Sequence, residues 1–292
     1  MTDALRTRME LRPILCRPPI LSIAMQSDQA FFREAGTGPG VLCLHSNAAT
    51  SSQWRGLMER LAPRFHVLAS DGLGAGKSPP WPTDRQAGLR DEVALAEPLF
   101  ERAGEPLVLV GHSYGGAVAL VAAALHPGRI RAMALYEPTL FALLDAQSPP
   151  PNDADGIRAT VAASERALAA GNSDEAARCF IDFWMGEGAW ARTPDARKDP
   201  IRDAIVNVSH WARALLGEST PLSAFAALRI PVLCMTGSRS PASSLGVARL
   251  LGRTLPDVQL IEFDGLGHMG PVTHPELVNA AIGGFLEKTR RA

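Results

Sequence analysis

Gly111-His112-Ser113-Tyr114-Gly115-Gly116 is the stretch of this sequence best suited to covalent chemistry. It follows the apolar run Leu107-Val108-Leu109-Val110 and leads into the small, apolar, helix-like run Ala117 to Leu125. A serine at such a strand-to-helix turn takes a strained backbone conformation, and the residues two positions away must be small for the turn to close. Gly111 and Gly115 meet that need. The helix start then aims its free amides at the point where an attacked carbonyl develops negative charge. A bare Gly-x-Ser-x-Gly arises by chance about once in seven chains of this composition, so it is the placement that gives the motif force. The plainer reading is a tight turn whose serine only caps the helix. His112 reads as a packing residue beside the turn.

The elements that must position this serine are legible from the apolar runs. Strand-like runs occur at Val41-Leu42-Cys43-Leu44, His66 to Ala69, Leu107 to Val110, Ala132 to Tyr136, Val232 to Met235 and Val258 to Ile261. Helix-length segments, such as Ser52 to Leu61, separate several of them. Short continuous apolar runs spaced in this way predict strands buried on both faces of a mostly parallel sheet, hence an α/β fold with right-handed crossovers. Before them, the polar Ser27-Asp28-Gln29 predicts the turn of a hairpin that ends near Arg33. Between Thr139 and Leu222 no buried strand is visible. Helical patterning appears there instead, at Ile157 to Ala170 and Asp174 to Met185, after the proline run Pro149-Pro150-Pro151. This predicts a helical insertion over the sheet. The expected division is an N-terminal extension over 1–21, a core over 22–138 and 223–292, and a helical cap over 139–222.

Lys plus Arg number 29 and Asp plus Glu 30, for a formal charge of −1. That balance gives no electrostatic reason to expect nucleic acid or an anionic membrane as partner. It permits an uncharged small-molecule substrate. Cys16, Cys43, Cys179 and Cys234 are far apart and form no metal-binding pattern, so they read as free thiols in a reducing compartment. No signal peptide or membrane span is apparent, and a cytoplasmic location is expected. No metal or organic cofactor is implied, and a homodimer is left open.

From about Ser22 onward the chain resembles the α/β-hydrolase superfamily, and the resemblance implies that superfamily's fold. Asp71-Gly72-Leu73-Gly74-Ala75-Gly76-Lys77-Ser78 is similar to the family's turn after the strand preceding the elbow strand, with Asp71 fixing the turn it begins. His45-Ser46-Asn47 is similar to its His-Gly-x element, with Ser46 where glycine is usual. The resemblance implies that the backbone N–H groups of Asn47 and Tyr114 form the oxyanion hole. Alternatively, Asn47 only holds its own loop. Gly265-Leu266-Gly267-His268-Met269 follows the last strand, where the family places its catalytic histidine. A loop imidazole there can reach the elbow serine and exchange a proton near neutral pH. His66, His126, His210 and His274 read as structural or exposed.

The family's usual acid follows the strand Val232 to Met235, but the sequence there is Gly237-Ser238-Arg239-Ser240-Pro241, without a carboxylate before Leu255. Glu137, at the end of the strand after the elbow strand, resembles the acid of members such as a subgroup of haloalkane dehalogenases. Ends of neighbouring parallel strands converge on one edge, so Glu137 can meet His268. The alternative is a carboxylate bonded only to loop amides. Asp264 lies too close to His268 along the chain to be preferred. Phe180, Phe183, Trp184, Trp190 and Trp211 of the insertion are candidates for an apolar pocket, or else for the insertion's own core.

Together these features imply a serine hydrolase acting through an acyl-enzyme on a small or medium, largely apolar ester. Carbon–carbon bond hydrolysis and cofactor-free perhydrolysis use the same constellation. A binding protein of the same fold with little turnover is the rival that Ser240 favours.

Overall fold

The computed structural model describes residues 20–23 and 29–291. Within these residues the apolar runs form one eight-stranded sheet. Its strands are β1 (Leu21–Ile23), β2 (Phe32–Ala35), β3 (Gly40–Leu44), β4 (His66–Ser70), β5 (Leu107–His112), β6 (Ile130–Tyr136), β7 (Val232–Gly237) and β8 (Val258–Phe263). Their spatial order is β1-β2-β4-β3-β5-β6-β7-β8. β1 and β2 are antiparallel to their neighbours, while β4, β3, β5, β6, β7 and β8 pair in parallel. Ser27 and Asp28 of the expected turn lie outside the described residues, as does most of the expected extension. Leu21 already belongs to the sheet.

The chain order reverses at β3, which sits between β4 and β5. In open α/β sheets such a reversal leaves a crevice beyond the carboxyl ends of the strands. The sheet is covered on both sides. One face packs on the helices Leu89–Ala96, Tyr114–Leu125 and Ala242–Thr254, the other on Arg55–Leu61 and Pro275–Arg291. β3 and β5 are buried along their whole length, which explains their uninterrupted apolar sequence. β8 is not: it forms the sheet edge, with Leu260 58% exposed. The expectation of burial on both faces fails there, where β8 has a neighbouring strand, β7, on one side only.

Residues 139–222 hold no strand. They form the helices Ala142–Gln147, Asp155–Ala169, Ser173–Met185, Ala189–Arg192, Asp195–Ile205 and Val208–Leu216. Asp155–Ala169 and Ser173–Met185 coincide with the two expected helices. Asn172 starts the second by accepting the Glu175 N–H at 3.0 Å, a side-chain cap for an otherwise orphan amide. Among the described residues, no helix is long and apolar enough to cross a membrane. Cys43, Cys179 and Cys234 are free thiols, and Cys16 lies outside the described residues.

Candidate active site

Ser113 sits between β5 and the helix Tyr114–Leu125 with φ 55° and ψ −117°, a conformation rarely adopted by a side-chain-bearing residue. The turn closes because its flanks are glycine. A Cβ on Gly111 would lie 2.6 Å from the Gly115 carbonyl oxygen, and one on Gly115 would lie 2.3 Å from that of Leu44. The elbow is fastened to the neighbouring strand end: Ser113 N–H donates to Tyr136 O at 3.0 Å, and Thr139 N–H to Ser113 O at 3.3 Å.

His268 reaches this serine from the loop after β8, with Nε2 2.9 Å from Ser113 Oγ. Its other nitrogen, Nδ1, lies 2.6 Å from Glu137 Oε2. A carboxylate only accepts, so Nδ1 carries the proton and Nε2 is free to accept from the serine hydroxyl. Ser244 Oγ lies 3.2 Å from the same Nδ1. His268 is 2% exposed and Glu137 0%. A buried carboxylate must be satisfied, and Glu137 is. Its second oxygen, Oε1, accepts the Gly237 N–H at 2.7 Å and the Ser240 hydroxyl at 2.5 Å. Glu137 also has a positive φ of 44°, so the chain turns sharply there to aim the carboxylate along the strand ends.

The histidine loop is tied down from beneath. Tyr136 donates its hydroxyl to Gly267 O at 2.9 Å. His112 Nε2 donates to His268 O at 2.9 Å, and its Nδ1 accepts from Gln53 Nε2 at 3.1 Å. This needs a neutral imidazole, and burial, reinforced by the nearby His268, holds His112 well below the usual histidine range. Gln53 Oε1 in turn accepts the N–H and the hydroxyl of Ser46.

Two amides near the serine are already committed. Ser46 N–H is held by Gln53, and Gly115 N–H by His45 O at 3.1 Å. Tyr114 N–H begins the helix, where no carbonyl a turn earlier is available to it. Asn47 follows Ser46 beside the same cavity. Ser46, in place of the usual glycine, is thus a fixed point of the loop. Asp71 does fix its turn, accepting Ser51 N–H at 2.6 Å and Lys77 N–H at 3.0 Å. Asp264 bonds Ser238 rather than the histidine.

Ser113 and His268 open onto a cavity of about 500 Å³, mouth included. Its walls include Ile157, Phe180, Trp184, Val208, Trp211 and Leu215, and no lining residue is an acid, lysine or arginine. Asn47 Oδ1 and Thr139 Oγ1, both from lining residues, have no hydrogen-bond partner among the described residues. Two expected pocket residues are elsewhere. Phe180 and Trp184 are four apart and share one helix face, whereas Phe183 is turned from it and packs edge-on against Trp184. Trp190 is buried in the insertion with Lys198 and Arg202 over its ring.

A family model described as the alpha/beta hydrolase fold matches residues 39–275. The chain belongs to the α/β-hydrolase family. This hydrolase is 30% identical over 270 residues to lipase LipV of Mycobacterium tuberculosis, covering 86% of this chain and 94% of that one. It is 26% identical over 264 residues to pimeloyl-[acyl-carrier protein] methyl ester esterase of Chromobacterium violaceum, covering 88% and 98%. Among solved structures, a thermophilic esterase from Thermogutta terrifontis superposes with a TM-score of 0.69 at 25% identity, covering 93% of the hydrolase and 99% of that chain.

Proposed function

We propose that the protein is a serine hydrolase of small or medium, largely apolar carboxylic esters, with Ser113, His268 and Glu137 as its catalytic triad. The observation that carries this reading is the buried chain Ser113 Oγ–His268 Nε2 and His268 Nδ1–Glu137 Oε2, at 2.9 and 2.6 Å, on the floor of an apolar cavity. In the first half-reaction Ser113 Oγ attacks the ester carbonyl as its proton passes to His268 Nε2. The carbonyl electrons move onto oxygen, where the N–H groups of Asn47 and Tyr114 form the oxyanion hole. Collapse expels the alcohol, which takes the proton from His268. Water then repeats the sequence on the acyl-enzyme and releases the acid.

Glu137 orients the imidazole and offsets the positive charge it gains. The helices of 139–222 act as a cap that supplies the acyl pocket. The uncharged lining favours a neutral acyl group, because an anionic one would meet no cation there. The names of the lipase and methyl ester esterase relatives agree with ester substrates. We place the enzyme in the cytoplasm, where Cys43, Cys179 and Cys234 stay reduced.

The test is intact-mass detection of a fluorophosphonate adduct. One adduct on the wild type and none on Ser113→Ala is the expected result. Folded wild type without an adduct would instead favour a binding protein of this fold.

A further inference from the structure

Trp184 lies nearly face to face with His268, the ring centroids 4.0 Å apart and the planes 27° from parallel. The indole belongs to the helix Ser173–Met185, the imidazole to the loop after β8, and both line the same cavity. Phe183 holds the indole edge-on at 4.8 Å and Phe180 at 6.1 Å, so its orientation is set from behind. The edges of the imidazole are committed to Ser113, Glu137 and Ser244. Trp184 covers a face of the ring, where no hydrogen bond can form.

An indole face attracts a cation within about 6 Å of its centre, more strongly when water is excluded. Given the triad read above, on which this inference rests, His268 becomes such a cation each time it takes the serine or water proton. We propose that Trp184 is a positioning residue for His268, holding the imidazole in line with Ser113 and Glu137 and stabilising the imidazolium formed during both half-reactions. The cap helix therefore acts on the proton carrier as well as on the acyl group.

Other titratable groups face His268. Glu137 meets its Nδ1 edge from the end of β6. His112, from the end of β5, lies 5.3 Å away with its ring tilted by 45°, and stays neutral. The Tyr136 hydroxyl bonds the preceding Gly267, with burial and then the charge of Glu137 raising its pKa. All three remain in a Trp184 variant.

The sign follows from the reaction. Attack needs neutral His268, so the acid limb of the rate profile marks the loss of the imidazolium proton. Removing the indole face destabilises the imidazolium and moves that limb to lower pH, by about 0.5 to 1 pH unit. A side chain that only filled space would lower the rate by one factor at every pH and leave the limb in place.

The experiment follows the rate of fluorophosphonate labelling against pH for wild type, Trp184→Phe and Trp184→Leu, which needs no knowledge of the natural ester. The limb is expected to fall for Trp184→Leu and to stay near its wild-type position for Trp184→Phe, which keeps an aromatic face. Coincident limbs for Trp184→Leu and wild type overturn the proposal. Should Trp184→Leu not fold, the fluorescence difference between wild type and Trp184→Phe decides, since an imidazolium quenches an indole stacked on it. A difference that titrates in the pH range of the labelling limb supports the proposal, and a flat one overturns it. Failure of wild type to label at all would refute the hydrolase reading, and the fluorescence would still decide the stack.

Discussion

In the proposed triad, Glu137 and Ser240 divide between them a task that one residue usually performs. Ser240 occupies the place after β7 where the family resemblance puts the acid, and it donates its hydroxyl to the carboxylate that arrives from β6. An imidazolium responds to where the carboxylate oxygen is, not to which strand delivers it. With Gly237 N–H and Ser240 on one oxygen, the other is left for His268. Glu137→Gln keeps the shape but presents the histidine with a neutral amide. Its kcat on 4-nitrophenyl butanoate is expected to fall about 10³- to 10⁴-fold, with the fold unchanged by circular dichroism. Ser113, His268 and Glu137 were each nameable before the structure, since a local turn or a strand end constrains them. Gln53, Ser244 and the roles of His112 and Ser240 were not: the bonds that tie them to His112, His268 and Glu137 join positions 24 to 156 residues apart, and no local pattern encodes them.

At the scale of elements, the elbow is where strand and helix approach most closely. The Gly115 Cα lies against the end of β3, and its N–H is spent on His45 O. Gly115→Ala must push the helix Tyr114–Leu125 away from β3, and it is expected to cost about 3 kcal/mol or more, read as a lower urea midpoint. The loss of labelling should accompany it, because the Tyr114 amide moves with the helix. The parallel strands were legible because burial on both faces leaves an unbroken apolar run. β8 was legible as a strand but not as an edge, since lateral position in a sheet leaves little local trace. The two longest helices of the insertion showed their period. The short Ala189–Arg192 turn and the helices over 195–216 did not, because their placement depends on partners elsewhere. For the same reason aromatic content alone failed to separate Trp184 and Trp211, which face the cavity, from Phe183 and Trp190, which do not.

For the molecule as a whole, Glu92 sets a dependence of stability on pH. Its side chain is buried under the elbow, accepting Leu73 N–H at 3.1 Å and the Tyr114 hydroxyl at 3.1 Å. Burial pushes its pKa from 4.5 up to about 7. The folded protein therefore keeps a proton that the unfolded chain has released. The stabilisation is full below about pH 4.5 and is lost as pH rises through about 7, a change of roughly 3 kcal/mol. Urea titrations of wild type should weaken across that window by more than those of Glu92→Gln, which carries no proton to lose. The same interior ties the pocket to the sheet. One apolar cluster extends from Leu42 and Leu109 in the sheet through Val118 and Leu140 to Phe180 and Trp211 above the pocket. A lid that swings as a plate needs a polar seam to part along. Here the apolar roof and the sheet beneath it are one continuous cluster, so swinging the roof away would expose apolar surface to water. That cost keeps Trp184 and Trp211 seated over the pocket, and the cavity holds its shape.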